Sequence, residues 1–323
     1  MKYYISISFL VFSLLLRGQY APGVGISGTT AIHQNSNVFV AWAIHADVIR
    51  GWINIADTTL GRASDGSAGS LEGKADNNVV SLGDGGVVTL SFEHPIINGS
   101  GWDFAVFENS FDGHFLELAF VEVSSDGQNF YRFPAHSLTQ DSMQVGTFGT
   151  IDPTKIHNLA GKYKVGYGTP FDLEEMKNIP GLNVNNIIKI RIADVVGSID
   201  TMYSTYDTAG NIINDPWPVN FASSGFDLDA VGVIHQSVGY EKYQIYSGLK
   251  VFPNPASDYI FVETKDIELS KIRIFNSFGL CVYFKESLVI NRTIDISHLP
   301  SGIYFLMVEK KGGGKLQRKL VVF

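Results

Sequence analysis

Four acidic residues stand where carboxylates are expensive. Asp227 and Asp229 lie two apart in the apolar run Phe226–Ile234, Glu108 ends the run that begins at Trp102, and Asp194 ends Ile187–Ala193. Residues two apart on a strand share a face, so Asp227, Asp229 and Val231 fall on one side and Phe226, Leu228 and Ala230 on the other. A carboxylate in such a setting costs several kcal/mol to bury unless it is paired, hydrogen-bonded or bound to a cation. Calcium wants carboxylate and carbonyl oxygens, so Ca2+ is the candidate cofactor, with Glu108, Asp194, Asp227 and Asp229 as its candidate ligands, the other choice being none. The plainer reading is that these carboxylates cap turns or accept backbone N–H groups. Paired carboxylates also serve glycoside hydrolysis, but nothing in the spacing sets two of them across a cleft.

The aromatic candidates are Trp217 and Trp52. Trp217 lies between Pro216 and Pro218, where a regular strand or helix is excluded, and an aromatic on a rigid loop can serve as a ligand platform. Packing of that loop onto the core is the alternative. No nucleophile elbow, zinc-protease helix, phosphate loop or dinucleotide fingerprint is present. The eight histidines show no ligand spacing. The single cysteine, Cys281, sits in a strand-like run and reads as a buried structural thiol.

The elements that must position these residues are strands. The low charge, frequent glycine and abundant aromatic and β-branched residues point to an all-β chain joined by tight turns. Gly83–Gly86 between Val79–Leu82 and Val87–Phe92 reads as one hairpin, and Asp126-Gly127 between Leu116–Ser124 and Gln128–Phe133 as another. Two short helical pieces are expected, at Pro153–Leu159 behind Asp152 and at Phe171–Lys177. The whole reads as an N-terminal jelly-roll-like β-sandwich with short helices over 19–236, a linker at 237–248, and a small C-terminal Ig-like β-sandwich over 249–323. Charge changes at the same boundary. Residues 249–323 carry eleven Lys and Arg against seven Asp and Glu, whereas residues 19–236 carry ten against 24. So acidic a body argues against nucleic acid as a partner. Residues 1–18, with Lys2 ahead of an apolar run, have the form of a signal peptide, and no second apolar stretch is long enough to span a membrane.

The tail opens on Leu249-Lys250-Val251-Phe252-Pro253-Asn254-Pro255-Ala256. It continues through Ile294-Asp295-Ile296-Ser297 and Leu299-Pro300-Ser301-Gly302-Ile303-Tyr304, and closes on Lys319–Phe323. This resembles the C-terminal sorting domain of the type IX secretion system of Bacteroidetes. The resemblance implies export through the periplasm to the outer cell surface or medium, with the secretion machinery as the partner of 249–323. Ser81–Gly86, Asp103–Asn109, Val121–Gly127 and Gly225–Val231 are similar to segments of an uncharacterised bacterial cell-surface protein family. They look like parts of discoidin-like or galactose-binding-like jelly rolls. That likeness implies a fold and no activity. The reading of the front domain is therefore a non-catalytic module for a glycan or other small ligand. The alternatives are a structural or adhesive surface component and a hydrolase of unrecognised type.

Overall fold

The computed structural model describes residues 20–237, 249–264, 269–286, 292–311 and 315–323. The chain divides into two compact units, residues 1–238 and 239–323. The leader expected at 1–18 and nearly all of the linker expected at 237–248 lie outside the described residues.

The first unit is a sandwich of two antiparallel sheets. One sheet runs Ile32–His33, Tyr167–Phe171, Phe104–Glu108, Asp227–Val233, Ala41–Trp42, with Val80–Ser81 pairing the start of Asp227–Val233. The other runs Leu159–Ala160, Ala119–Ser124, Ile187–Asp194, Val87–Ile96, His45–Ile49, with Tyr131–Arg132 on Ala119–Ser124. From Val80 onward the long strands alternate between the sheets, which is what makes the sandwich jelly-roll-like. Phe104, Val106, Leu90, Val121, Ile190, Ile192, Leu228 and Val231 fill the space between the sheets. The strands Phe104–Glu108, Ala119–Ser124 and Asp227–Val233 are buried at every residue. Loops cover their outer faces. Phe39 and Trp42 pack on Phe107 and Ala230 outside the first sheet, and Ile151, Ile156 and Ile213 pack on Leu118 and Phe120 outside the second.

Local sequence explains many of these elements. Asp126 accepts from the Gln128 and Asn129 N–H groups and Gly127 takes φ 77°, so Ala119–Ser124 turns back onto Tyr131–Arg132 as a hairpin. The helical pieces are single 3-10 turns, Pro153–Lys155 behind Asp152 and Leu173–Met176 behind Asp172, and the helix expected to run on to Leu159 gives way to the strands Ile156–His157 and Leu159–Ala160. Each capping carboxylate accepts the N–H two residues on.

Three expectations are corrected. Gly83–Gly86 does not close a hairpin: Val80–Ser81 pairs with Asp227–Leu228 in one sheet, and Val87–Ile96 pairs in the other. Gly83 and Gly85 have positive φ, and Gly83 N–H bonds the Ser224 carbonyl, so the segment crosses between sheets. The alternation along Phe226–Ile234 also breaks. A bulge between Leu228 and Ala230 leaves Asp229 unpaired, so Ala230 packs outside the sheet while Val231 joins Leu228 inside. Finally, Cys281 is exposed, with its thiol donating to the Tyr283 carbonyl.

The second unit contains a three-stranded sheet of Leu249–Phe252, Tyr259–Thr264 and Arg292–Asp295. Its other sheet has four strands, in the order Cys281–Glu286, Leu269–Asn276, Gly302–Lys310, Lys315–Val322. Ile260, Ile274, Leu306 and Leu320 form its core.

Asp194 joins the two sheets of the first unit. It ends a strand of the second sheet. Its Oδ2 accepts the crossover N–H of Gly85 at 2.9 Å, and its Oδ1 accepts that of Phe226, at the head of the closing strand of the first sheet, at 2.7 Å. Asp194→Ala leaves the buried Phe226 N–H unpaired and frees the part-buried Gly85 N–H, and is expected to destabilise the protein by about 2 kcal/mol in denaturant unfolding. A loss below ~1 kcal/mol would contradict this role.

Candidate functional site

Three loops meet over the ends of the two sheets. The first, after Glu108, carries Phe111, Phe115 and Glu117. Ser110 fixes its shape by donating to the carbonyls of Asp112 and Phe115, and Asp112 Oδ1 accepts the N–H groups of His114 and Phe115 at 2.7 Å each. The second loop carries Thr147 and Phe148. The third runs from Asn214 to Phe226 through the cis peptide Trp217–Pro218 and carries Val219 and Phe221. The second and third are tied together. Asn214 Nδ2 donates to the carbonyls of Gln140 and Met143, Trp217 N–H to Val145, and the Thr147 hydroxyl to Pro218.

Between these loops lies a pocket of about 310 Å3, lined by Phe111, Phe115, Phe148, Phe221, Glu117 and Asp227 among others. The four rings form a continuous row, with centroids 4.8 Å apart for Phe111 and Phe115, 6.4 Å for Phe115 and Phe148, and 6.2 Å for Phe148 and Phe221. Phe111 is 67% and Phe148 70% exposed, so the row is a contiguous apolar patch of the kind that marks a binding surface. The two carboxyls are buried, one from the approach to each sheet. Glu117 has no hydrogen-bond or ion-pair partner among the described residues, and Asp227 Oδ1 is buried without a hydrogen bond.

Burial dominates the electrostatics, and Arg50 offsets it only in part at Asp227. Burial, and then the carboxylates of Asp227, Glu108, Asp215 and Asp194, push the Glu117 carboxyl well above its usual range. Burial lifts Asp227 to about 6. The Ser81 hydroxyl, the Asn109 side chain and Arg50 pull it back, although Ser81 Oγ, like Asp227 Oδ1, lacks a formed hydrogen bond. Glu108 and Asp194 are likewise held well above the carboxylate range by burial.

The four acidic residues singled out in the sequence are all buried, but they divide. Asp194 lies with Asp84 and Asp215, whose charges raise it further. Glu108 lies with Asp227 and Asp229 and accepts the Ser110 N–H at 2.9 Å. Asp229 Oδ1 accepts the N–H groups of Asp76 and Asn77. One oxygen each of Glu108, Asp227 and Asp229 is buried without a partner. Among the described residues no group of three or more His, Cys, Asp or Glu side chains is arranged to hold a metal. The two tryptophans converge beside the pocket rather than in its wall. Asp84 Oδ2 accepts Trp217 Nε1–H at 3.0 Å, and the Asp84 backbone exchanges two hydrogen bonds with Trp52. The Arg62 guanidinium covers the Trp52 ring at 3.6 Å. Glu117, Asp84 and the phenylalanine row were not singled out in the sequence. Their local signal is only that bulky apolar residues recur in glycine-rich and polar loops.

Comparison with known proteins bears mainly on the tail. Residues 250–323 match the family model of the secretion system C-terminal sorting domain. The tail is a sorting domain. The protein is therefore exported to the cell surface or secreted, and its tail is the part that engages the type IX secretion machinery. Among the described residues no helix is long and apolar enough to cross a membrane. Beta-agarase D of Zobellia galactanivorans is 30% identical over 106 residues, which is 32% of this chain and 21% of the agarase. Solved structures overlap only loosely. The beta-1,2-glucanase from Parabacteroides distasonis is 12% identical, with a TM-score of 0.24 over 91% of this chain and 39% of that one. A biofilm associated protein BSP domain is 10% identical, with a TM-score of 0.21 over 89% and 52%. Overlap of that size carries no argument about fold or activity.

Raised carboxyl pKa values have a stability consequence. Each such group holds a proton in the folded state that the unfolded chain has already released. Its contribution is complete below the ordinary carboxylate range and is lost as pH rises through the folded value, about 6 for Asp227. His157 and Lys162, both pushed down by burial and Lys162 to about 8, act in the opposite sense, but they are outnumbered by Asp84, Glu108, Glu117, Asp194, Asp215 and Asp227. Lowering the pH from about 8 to about 5 should raise the melting temperature of the first unit. A melting temperature that is flat or falls over that range would contradict the assignment.

Proposed function

We propose that the first unit is a non-catalytic ligand-binding module, displayed or released by the sorting tail, whose pocket takes a glycan or another small ligand. The observation that carries this reading is the row of four phenylalanine rings over two buried carboxyls with unfilled hydrogen-bonding capacity. An exposed apolar row gains free energy when a ligand face covers it, and unpaired polar groups beneath it fix orientation. The second and third loops are tied to each other and the first is held by Ser110 and Asp112, so little ordering is needed on binding. The agarase likeness favours a polysaccharide setting for this export route, and the glycan reading is consistent with it.

Calcium is a second reading, supported by the unpartnered oxygens of Glu108, Asp227 and Asp229. Closing a shell on these three requires a shift of their side chains.

One screen separates the readings. The purified exported chain is melted with neutral, acidic and amine-bearing oligosaccharides, with calcium, and with chelator. A ligand at about 100 times its dissociation constant adds ~2.7 kcal/mol and raises the melting temperature. Phe148→Ala is expected to abolish a sugar-dependent shift and leave a calcium-dependent one intact. A sugar-dependent shift that survives Phe148→Ala would place the ligand elsewhere, and a melting temperature unchanged by chelator would remove calcium.

A further inference from the structure

We infer that the pocket is built for a small organic cation, an ammonium group seated among the faces of Phe111, Phe115, Phe148 and Phe221 and neutralised by Glu117 and Asp227. This deepens the ligand-binding reading above and rests on it.

The wall itself states the charge it lacks. It contains two acidic side chains and no Lys, Arg or His. Glu117 and Asp227 are only 7% and 8% exposed, and neither has an ion-pair partner among the described residues. Buried carboxyls of this kind gain most from a positive charge brought to them. Arg50 is the cation nearest to Asp227 in effect, but its guanidinium is committed to the carbonyls of Asp65, Ser81 and Gly66.

The rim is selective in the same direction. All four rings are phenyl, which brings π density and no hydrogen-bond donor for a neutral hydroxyl. Tryptophan and tyrosine would serve a neutral sugar better, and the two candidate tryptophans are engaged by Asp84 and Arg62 instead. A metal ion is the competing cation. It needs three or more converging ligands and gains nothing from phenyl rings, whereas an ammonium group is satisfied by one or two carboxylates and ring faces. The net charge of the first unit, ten basic against 24 acidic residues over 19–236, draws cations towards it.

The groups around the two carboxyls set the pH behaviour. Asp65 and Arg50 act on Asp227, and Asp227, Glu108, Asp215 and Asp194 act on Glu117. Of these charged groups all except Arg50 favour the protonated form, and the Ser81 hydroxyl and Asn109 side chain oppose it at Asp227. An ammonium ligand must displace those protons, so binding strengthens as pH rises from about 5 to about 7.5 and is accompanied by proton release.

The test is isothermal titration of the exported chain with choline and with glucosamine. Each is paired with a neutral counterpart: 3,3-dimethylbutanol, which puts carbon in place of the nitrogen of choline, and N-acetylglucosamine. The expected result is that one or both cations bind at least ten times more tightly than the neutral partner, with protons released. Which cation binds distinguishes a quaternary ammonium from an amino sugar. Asp227→Asn should weaken that binding ten-fold or more and reduce the proton release. Phe148→Ala, on the exposed rim, should weaken it several-fold in a chain that still folds. Equal binding of the neutral partner, or binding of N-acetylglucosamine with neither cation, overturns the cation inference and leaves the ligand-binding reading standing. Absence of binding by all four compounds overturns the cation inference. If the wider oligosaccharide screen is also empty, the ligand-binding reading falls with it.

Discussion

A carboxylate that accepts backbone N–H groups from two distant segments is the constraint on which the first unit depends. Asp194 does this for the crossover at Gly85 and the closing strand at Phe226. Asp103 does it for Gly99 and Leu173, with His235 on the same carboxylate. Asp215 accepts from Leu118, Asp84 from Ile55, and Asp229 from Asp76 and Asn77. A sandwich whose strands are buried on both faces must cover its outer surfaces with loops, and loops carry backbone donors that no ladder satisfies. Short acidic side chains meet that need without the volume of another strand.

The cost of this solution is charge. Buried carboxyls accumulate near one another with few cations, and their proton affinity rises. Where the donors suffice, as at Asp194, the result is a clamp. Where they do not, as at Asp227 and Glu117, polar capacity is left over beneath the three loops. The same chemistry therefore produces both the scaffold and the pocket, and the difference lies in how many N–H groups reach each carboxyl.

Much of the scaffold was legible in the chain. The Asp126-Gly127 hairpin, the strand ending at Asp194 and the fully buried run through Phe107 follow from turn chemistry and apolar patterning. The sorting tail was legible from its ordered short motifs. The Gly83–Gly86 segment was misread because a glycine turn states that the chain reverses, not whether its flanks pair or part. The bulge at Asp229 was hidden because it depends on the register against Phe104–Glu108, and simple alternation cannot reveal it. The four candidate carboxylates were correctly placed in the interior, but period-two reasoning could not say that Asp194 belongs to a different cluster from Asp227. The phenylalanine row comes from three loops far apart in sequence, so only the fold assembles it.

Asp227 is where scaffold and site meet, and its ionisation reports both. Selective isotopic labelling of aspartate, followed by a carboxyl-carbon NMR titration of the exported chain, measures it directly, with Asp227→Asn assigning the resonance. A midpoint near 6 is the predicted result for a buried carboxyl without an ion-pair partner. A midpoint at the ordinary aspartate value of about 3.9 would mean that Asp227 is solvated or already paired, and it would contradict the pocket described here.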